Sequence, residues 1–316
     1  MGGFMQSERK IATVFGASGF VGRHVVQRLA AQGYIVRAAV RDTEFAKFLK
    51  PMGAVGQVVV LYAPITEEAL VARAIAGAEI VINLAGTLTD SKKSGFFATH
   101  ADGAGRVARL ACAAAARFVH VSALGANLEG ASAYARSKAQ GEAAVKSAHP
   151  QAVILRPSLI FGAEDQFFNR FAKLATRSKI LPIVYGQTKF QPVYVGDVAD
   201  AVMAALNPSM AGQIFELGGP EVKSFKALMQ QMLEIIERPN IVWNMPPCLA
   251  WLLACIPFSG ITTDQLKLLA VDNVVSPTAN GLSALGIAPT RADLVLPSYL
   301  ARYRVCGRGY NDRFMA

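Results

Sequence analysis

The stretch IATVFGASGFVG, residues 11–22, decides how the first half of the chain folds. Its opening residues are apolar or β-branched, which is typical of a buried strand, and apolar residues at helical spacing then continue to Gly33. Gly16, Gly19 and Gly22 lie between strand and helix, where missing side chains let backbone N–H groups approach a pyrophosphate. The alternative is a tight turn that only packs the helix on the sheet. The segment predicts a dinucleotide site with contacts from Gly16, Ser18, Gly19, Phe20, Val21 and Gly22.

Strands and helices alternate through the first half of the chain. Strands are predicted at residues 11–15, 34–40, 58–61, 79–84, 117–121 and 152–155, and helices at 21–32, 66–76, 101–116 and 132–148. The alternation predicts an α/β fold with a Rossmann-type doubly wound parallel sheet. Less regular helices at 167–176, 198–206 and 225–237 indicate a smaller α+β C-terminal lobe. We expect a Rossmann domain over residues 8–160, with residues 190–220 as a candidate for completing its sheet, and a C-terminal lobe with a docking tail over residues 161–316.

The second strand ends in Val40-Arg41-Asp42, and this end sets the cofactor preference. If Arg41 stands at the tip, its guanidinium matches a 2′-phosphate and favours NADP(H). If Asp42 turns inward instead, it accepts hydrogen bonds from a ribose 2′-hydroxyl and favours NAD(H). Arg41 as a solvated surface charge is the third reading. We favour NADP(H), because Arg is suited to bidentate phosphate contact.

Tyr134 and Lys138 are four residues apart on a predicted helix and so project from one face. In that geometry a lysine can bond the nicotinamide ribose and lower the pKa of the phenol, which exchanges a proton with substrate. The position of the pair after the fifth strand favours a cofactor contact. The alternative is an exposed pair on a helix.

Composition limits the partners. Hydrophobic residues make up 53% of the 316-residue chain, charged residues 17%, and the formal net charge is +10. A surface poor in charge indicates that part of it is covered, and the positive balance favours a phosphate-bearing ligand, an anionic membrane surface or an acidic protein. Nucleic acid is not expected, because the basic residues are dispersed and no recognition helix or aromatic platform is visible.

The cysteines and the apolar segments exclude several classes of site. Four cysteines, at 112, 248, 255 and 306, form neither a CxxC pair nor a Cys/His cluster, so no metal site or disulfide framework is indicated. No apolar run precedes the first strand, so no secretory signal is expected. Prolines interrupt the apolar residues 241–261, which therefore do not span a membrane. We expect a short apolar helix at 248–256, either in the core, in a bilayer interface or against a partner, and a basic tail that carries Arg302, Arg304, Arg308 and Arg313.

Three features together resemble the short-chain dehydrogenase/reductase superfamily in its extended and atypical branches: residues 16–22, Asn83-Leu84-Ala85-Gly86, and the Tyr134/Lys138 pair. In active extended members, the strand before the tyrosine ends in a serine-rich run whose third residue polarises the substrate. That position here holds Leu124, and Ser122 comes two places earlier. The acidic residue often found after the third strand is absent from Tyr62-Ala63-Pro64. The resemblance implies a site that binds cofactor but lacks its polarising hydroxyl.

Three longer blocks carry a narrower resemblance: VSALGAN at residues 121–127, LRPSLIFGAEDQF at 155–167 and QPVYVGDV at 191–198. Their order and spacing resemble the nucleotide-binding accessory subunits of respiratory complex I, the alpha-subcomplex subunit nine family in its bacterial form. The resemblance implies a bound NADPH that does not turn over, with NAD(H) less favoured. It also implies cofactor contacts from Leu84, Ala85, Gly86, Ser122, Tyr134, Lys138 and Pro157, with Tyr134 and Lys138 as vestigial catalytic residues.

The same resemblance implies a place in the cell. It puts the chain at the junction of the peripheral and membrane arms of complex I, near the quinone site. The partners would be other complex I subunits, with anionic lipid as a further contact. The chain would be a peripheral protein on the cytoplasmic face of the bacterial inner membrane, or on the matrix side in a mitochondrion. The apolar helix and the basic tail would then be docking surfaces, or else an ordinary core helix and a solvated tail.

Two rival functions stay open. One is an active reductase or epimerase on a small carbonyl, sugar or isoprenoid substrate, with Tyr134 as general acid supported by Lys138. The other is a redox sensor whose partner distinguishes NADPH from NADP. The intact pair keeps the first alternative open, and nothing in the sequence is specific to the second.

Overall fold

The computed structural model describes residues 10–88, 95–255 and 262–304. Within them the chain forms two compact units. The first unit holds the described residues of Met1–Arg156 together with Val198–Phe215 and Ala284–Ile287, and the second holds the described residues of Pro157–Asp197, Glu216–Ser283 and Ala288–Ala316. The chain therefore returns twice to the first unit. The two domains expected at residues 8–160 and 161–316 remain a prediction.

The described strands and helices follow in chain order. The strands are β1 (Ile11–Phe15), β2 (Ile35–Val40), β3 (Val58–Tyr62), β4 (Ile80–Asn83), β5 (Arg117–Val121), β6 (Val153–Pro157), β7 (Ile160–Phe161), β8 (Ile180–Ile183), β9 (Lys189–Phe190), β10 (Val193–Tyr194), β11 (Ile214–Leu217), β12 (Lys223–Ser224) and β13 (Ile241–Asn244). The helices are α1 (Phe20–Ala31), α2 (Glu68–Ile75), α3 (Ala104–Ala113), α4 (Ala133–Ala148), α5 (Phe168–Ala175), α6 (Val195–Ala204), α7 (Phe225–Ile235), α8 (Pro247–Ala254), α9 (Thr263–Leu269) and α10 (Ala292–Leu300).

A seven-stranded sheet forms the centre of the first unit, in the order β11-β6-β5-β4-β1-β2-β3. The five adjacent pairs from β6 to β3 are all parallel. The order runs outward from β1 in both directions, so that β1 bonds to β2 on one side and to β4 on the other. The predicted α/β fold with a doubly wound Rossmann-type sheet is confirmed. Because the strand order reverses direction between β1 and β4, a crevice opens at the carboxyl ends of these two strands, where such sheets bind ligands.

Helices bury the sheet, which explains why its strands are almost continuously apolar. Val81, Phe118 and Ile154 form one buried cluster with Val107 of α3 and Val145 of α4. A rigid sheet covered in this way fixes the ends of β1, β2 and β4, and therefore the loops that follow them.

The second unit has short strands and an aromatic core, in keeping with the expected α+β lobe. Its strands pair as β7 with β10, β9 with β12, and β8 with β13. Phe161, Phe168, Phe190 and Phe225 are buried in one cluster with residues of α7 and α10. Aromatic side chains supply large buried areas, which stabilises a unit that lacks an extended sheet.

The helices expected from the sequence are present with slightly different ends, and several further elements were not expected, among them the short strands of the second unit. The helix predicted at 101–116 is a π-helical turn at Ala98–Gly103 that continues into α3. A 3-10 helix at Phe45–Met52 follows β2, and α9 and α10 lie in the C-terminal part. Short or irregular elements of this kind leave a weak periodic signal, so their absence from the prediction has a simple cause.

The short apolar helix expected at 248–256 is α8, and only a small part of its surface is buried in a core. Ala250 is buried, but Leu249, Leu252 and Leu253 are exposed, Leu252 to 64%. No helix among the described residues combines the length and apolarity needed to cross a membrane.

The start of the basic tail is held within the second unit. The Arg302 guanidinium donates to Asn169 Oδ1, and Arg304 forms an ion pair with Glu237 at 3.3 Å. Both side chains are therefore anchored on the second unit, although Arg302 itself is exposed. Arg308 and Arg313 lie outside the described residues.

Candidate functional site

The loop after β1 is built by close backbone approaches that only glycine permits. Gly16 has a φ of +76°, and a Cβ there would lie 2.8 Å from the carbonyl carbon of Leu84. A Cβ at Gly22 would lie 2.3 Å from the Gly16 carbonyl oxygen. The first turn of α1 therefore packs directly on the loop, and the loop packs directly on the segment after β4.

Helix α1 begins with unoccupied backbone donors. Gly19 is its N-cap, and no side chain caps the helix. The first amides of a helix have no acceptor within the helix and carry the positive end of its dipole. The amides of Phe20, Val21 and Gly22 therefore form an anion site next to the glycine loop.

A cleft of about 400 Å³ lies over this loop. It is lined by Gly16, Ser18, Gly19, Ala39, Val40, Arg41, Asp42, Phe45, Ala63, Pro64, Ile65, Thr66, Leu84, Ala85, Gly86 and Thr99. The structure thus brings Gly16, Ser18 and Gly19 together with Arg41 and the segment after β4. The other residues expected to contact cofactor do not line this cleft: Phe20, Val21, Gly22, Ser122, Tyr134 and Lys138. Pro157 is buried at the end of β6 and belongs to the second unit, so its expected contact remains a prediction.

Arg41 and Asp42 differ in how they are held at the lip of the cleft. The Asp42 carboxylate accepts the N–H of Phe45, the first residue of the 3-10 helix that follows, at 2.9 Å. Arg41 is exposed, and among the described residues no hydrogen bond or ion pair engages its guanidinium. The carboxylate is occupied locally, whereas the guanidinium can meet a ligand.

Tyr134 and Lys138 lie on α4, as expected. Lys138 Nζ is 5.9 Å from the centroid of the Tyr134 ring and donates to the Val121 carbonyl at 3.4 Å. Burial lowers the pKa of Lys138 to about 8, opposed by the Glu142 carboxylate, and burial raises the pKa of the Tyr134 phenol to about 12. The phenol is therefore held protonated at neutral pH. Gly86 connects the pair to the cleft, because a Cβ there would lie 3.5 Å from Lys138 Nζ.

His100 is a site residue that the sequence analysis missed. Its Nε2 accepts the Thr87 N–H at 3.0 Å, so the neutral ring carries its proton on Nδ1, which lies 2.9 Å from Ser137 Oγ. The ring stacks on Phe96 and meets the Tyr134 ring edge-on, with centroids 5.8 and 5.4 Å apart. Burial and then the Lys138 charge lower the pKa of His100 to about 3. A single histidine in an alanine-rich helix gave no pattern from which this role could be predicted.

A second buried histidine lies beneath the segment after β4. His120 Nδ1 is 3.2 Å from Asn83 Nδ2, and Asn83 Oδ1 accepts the Ala85 N–H at 3.1 Å. Burial, then the charge on Lys138 and His100, lower the pKa of His120 to about 3. The carboxyl end of β4 is therefore fixed by a neutral amide–imidazole pair.

Ser122 follows β5 with its side chain buried. Among the described atoms its Oγ has no hydrogen-bond partner. An orphaned buried hydroxyl is costly unless a water or ligand satisfies it. Ser122 therefore remains a candidate for cofactor contact, as expected from the resemblance.

The donor set fits a phosphate-bearing dinucleotide. The glycine loop leaves a space that a Cβ would fill, and the first amides of α1 offer an anion site beside that space. Arg41, which no other described residue engages, lines the edge of the same cleft. Groups of this kind are suited to binding the phosphates of a nucleotide, and Tyr134 is not among them.

Comparison with known proteins agrees with this geometry. The profile of the NAD dependent epimerase/dehydratase family matches residues 12–218. The Arabidopsis thaliana protein named NADH dehydrogenase (ubiquinone) 1 alpha subcomplex subunit 9, mitochondrial, is 34% identical over 322 residues, which cover 96% of this chain and 80% of that protein. The ceramide reductase of Caulobacter vibrioides is 34% identical over 206 residues, 65% of this chain and 64% of its own.

The fold has solved counterparts as well. The crystal structure of the Bordetella bronchiseptica enzyme WbmG in complex with NAD aligns with a TM-score of 0.71 at 15% identity, over 95% of each chain. Both family resemblances stated from the sequence are confirmed. The chain therefore belongs to the NAD dependent epimerase/dehydratase family and, within it, to the NADH dehydrogenase (ubiquinone) 1 alpha subcomplex subunit 9 proteins.

Proposed function

We propose that this chain is an accessory subunit of respiratory complex I that binds NADPH and does not turn it over. The observation that carries the proposal is a contrast within the first unit. The phosphate cradle is complete and Arg41 is unengaged beside it, whereas Tyr134 is packed against aromatic rings and the position expected to polarise a substrate holds Leu124. The assembly is inferred from relatives that carry the name of a complex I subunit.

The state of Arg41 and Asp42 supports NADPH over NADH. A dinucleotide in the cleft would place its adenosine ribose near the end of β2, as doubly wound folds do. The Asp42 carboxylate already accepts the Phe45 amide and is less available to a 2′-hydroxyl. The Arg41 guanidinium can form paired hydrogen bonds with a 2′-phosphate. NADPH is therefore the cofactor that the lip of the cleft recognises best.

The surroundings of Tyr134 support binding without turnover. NADPH supplies a hydride when a substrate carbonyl is polarised beside it. The position expected to polarise that carbonyl holds Leu124, which has no side-chain donor. The neighbouring serine, Ser122, has a buried hydroxyl. In this arrangement Lys138 and Ser122 serve to hold the nucleotide, and Tyr134 fills space beside it.

The exposed face of α8 supports a docked position at the junction of the two arms of complex I. Leu249, Leu252 and Leu253 form a patch that costs free energy in water and that a partner would cover. The net charge of +10 favours acidic neighbours and anionic lipid at the cytoplasmic face of a bacterial inner membrane, or at the matrix face in a mitochondrion. We assign α8 to contact with other complex I subunits, with lipid as an additional neighbour.

The test is a native gel of solubilised membranes, with mass spectrometry of the complex I band and analysis of the nucleotide released from it. We expect the chain and stoichiometric NADPH in that band. A free species that exchanges its cofactor and oxidises it with a carbonyl substrate would overturn the proposal.

A pair of matched substitutions tests the docking part. Leu252→Asp, on α8, should remove the chain from the complex I band. Leu128→Asp places the same charge at a leucine of the first unit that is 57% exposed, and should leave the band unchanged. If both variants remain equally in the complex I band, α8 is not the surface through which the chain docks.

An active reductase is the second candidate. It is favoured by the intact Tyr134 and Lys138, which share one face of α4, and by the similarity to a protein named ceramide reductase. Substrate-dependent loss of NADPH absorbance by the purified chain would establish it.

A further inference from the structure

His100 is buried at the meeting point of three elements of the first unit. It lies in the π-helical turn at Ala98–Gly103, and π turns within helices are rare and concentrate at functional sites. Its side chain contacts the segment after β4 through Thr87 and contacts α4 through Ser137. The turn itself presses on α4, since a Cβ at Gly141 would lie 2.0 Å from the His100 carbonyl oxygen.

The hydrogen bonds through His100 run in one direction. The Thr87 N–H donates to Nε2, Nδ1–H donates to Ser137 Oγ, and the Ser137 hydroxyl donates to the Tyr134 carbonyl at 2.8 Å. These three hydrogen bonds require a neutral imidazole with its proton on Nδ1. A neutral ring can connect a backbone donor to a hydroxyl acceptor, which neither an imidazolium nor an apolar side chain can do.

One end of this series of hydrogen bonds, at Thr87, lies next to the cleft in which a nucleotide would bind. Gly86 and Thr99 line the cleft, and a Cβ at Gly86 would be 3.6 Å from His100 Nε2. Gly86 precedes Thr87, so a bond that fixes the Thr87 amide also fixes the wall of the cleft at this end. Arg41 also lines the cleft but is not a member of these three hydrogen bonds.

We propose that His100 is a positioning residue that ties the Gly86–Thr87 wall of the cleft to the helix carrying Tyr134 and Lys138, and so orders the nicotinamide half of the dinucleotide site. The inference rests on the proposed NADPH site and adds that different residues bind the two halves of the dinucleotide. The adenosine half is bound by the glycine loop and Arg41, which do not depend on His100. The nicotinamide half depends on the spacing between Gly86 and α4, which His100 sets.

The experiment measures two ligands on the full-length chain by calorimetry: NADPH, and 2′,5′-ADP, which carries only the adenosine half. In His100→Phe, which keeps an aromatic ring but loses both hydrogen bonds, we expect the Kd for NADPH to rise about tenfold. The Kd for 2′,5′-ADP should stay within about twofold, because that ligand does not reach the wall that His100 positions. His100→Gln, whose amide oxygen can accept the Thr87 N–H, should recover most of the NADPH affinity.

His149 supplies a matched control. It is a buried histidine at the C-terminal end of α4, hydrogen-bonded to the Ala116 carbonyl at 3.1 Å, and it does not line the cleft. His149→Phe should lower thermal stability without changing the ratio of the two Kd values. That ratio is the readout that a merely structural role of His100 would leave unmoved.

The outcomes separate the inference from the proposed function. Equal weakening of both ligands in His100→Phe, or an unchanged Kd for NADPH, would overturn the positioning role and leave the NADPH site standing. Failure of the wild-type chain to bind either ligand would overturn both.

A second measurement serves if His100→Phe does not fold. Hydrogen exchange of the Thr87 amide in the wild type should be slowed by NADPH more than by 2′,5′-ADP at equal saturation. Equal slowing by the two ligands would count against the inference.

Discussion

Arg41 and Tyr134 mark two regions of the first unit that differ in how closely their side chains are packed. Arg41 is exposed at the lip of the cleft and is engaged by no other described residue. Tyr134 is packed against Phe96 and His100, and burial raises its pKa to about 12. The guanidinium of Arg41 is open to a charged ligand, whereas Tyr134 is half-buried among rings that are themselves buried. If the proposed function is correct, the binding side of a dinucleotide site can persist while its acid–base side becomes structural.

The glycine loop gives the largest expected effect, because both regions are anchored to it. Gly16→Ala adds a Cβ 2.8 Å from the Leu84 backbone at a φ of +76°. Gly33→Ala meets the same backbone strain at a φ of +85° with nothing within 4 Å. We expect Gly33→Ala to lower the free energy of unfolding by about 1 kcal/mol and to keep its nucleotide.

Gly16→Ala should lower the free energy of unfolding by roughly 1–3 kcal/mol more, because backbone atoms must move apart, and it should abolish nucleotide retention. Urea denaturation and analysis of released nucleotide measure both effects. Matching behaviour of the two variants would mean that the close approach of the loop to Leu84 is unimportant.

Arg41→Ala tests the open region alone. Hydrogen bonds to a charged group contribute more than neutral ones, so we expect the Kd for NADPH to rise about 10- to 100-fold. The Kd for NADH should change little, because NADH has no 2′-phosphate. Lys50→Ala removes an equal charge from the 3-10 helix at a position that does not line the cleft, and should leave both values unchanged. A similar loss for NADH and NADPH would assign Arg41 to the nucleotide in general.

The buried region predicts a loss of stability in acid. His100 and His120 have pKa values near 3 in the folded chain and near 6.5 when unfolded, so the unfolded state binds more protons between these values. The free energy of unfolding should therefore be fully present above pH 6.5 and fall as the pH falls towards 3. The slope for each histidine is on the order of 1 kcal/mol per pH unit.

The comparison of wild type with His100→Gln isolates one of these histidines. Denaturation in urea at pH 7.5, 6.0 and 5.0 should give a shallower decline for the variant. Parallel declines would show that His100 does not stay neutral in the folded chain.

The sequence was sufficient to predict the sheet and the open region, because both depend on local patterns. The patterns of β1, α1 and β2, the three glycines and Arg41 are visible within residues 11–42, and the same strand and helix periods continue to residue 155. The bond from the Phe45 amide to Asp42 was also within reach, since Asp side chains commonly accept hydrogen bonds from nearby backbone amides in turns. It was missed because Asp42 was weighed only as a ribose ligand.

The buried region could not be predicted in this way, because its contacts join residues far apart in sequence. His100 and Ser137 are 37 residues apart, and so are Asn83 and His120. No periodic pattern encodes such pairs, and a π turn has no sequence signature comparable to a glycine loop. The exposure of α8 was equally hidden, since an all-apolar helix has the same sequence whether a core or a partner covers it.

Tyr134→Phe gives the smallest expected effect and bears most directly on the contrast between the two regions. If the tyrosine fills space, removing its hydroxyl should leave the Kd for NADPH within about twofold, since a neutral hydrogen bond contributes little net affinity. Complex I assembly should also be unchanged. Tyr34→Phe, at a half-buried tyrosine outside the cleft, controls for the general cost of losing a phenol oxygen. A working reductase would instead lose its rate of NADPH oxidation by about 100- to 10,000-fold, because its general acid is gone. A rate in the wild type that vanishes in Tyr134→Phe and persists in Tyr34→Phe would show that the packed region still performs chemistry, with Tyr134 as its proton donor.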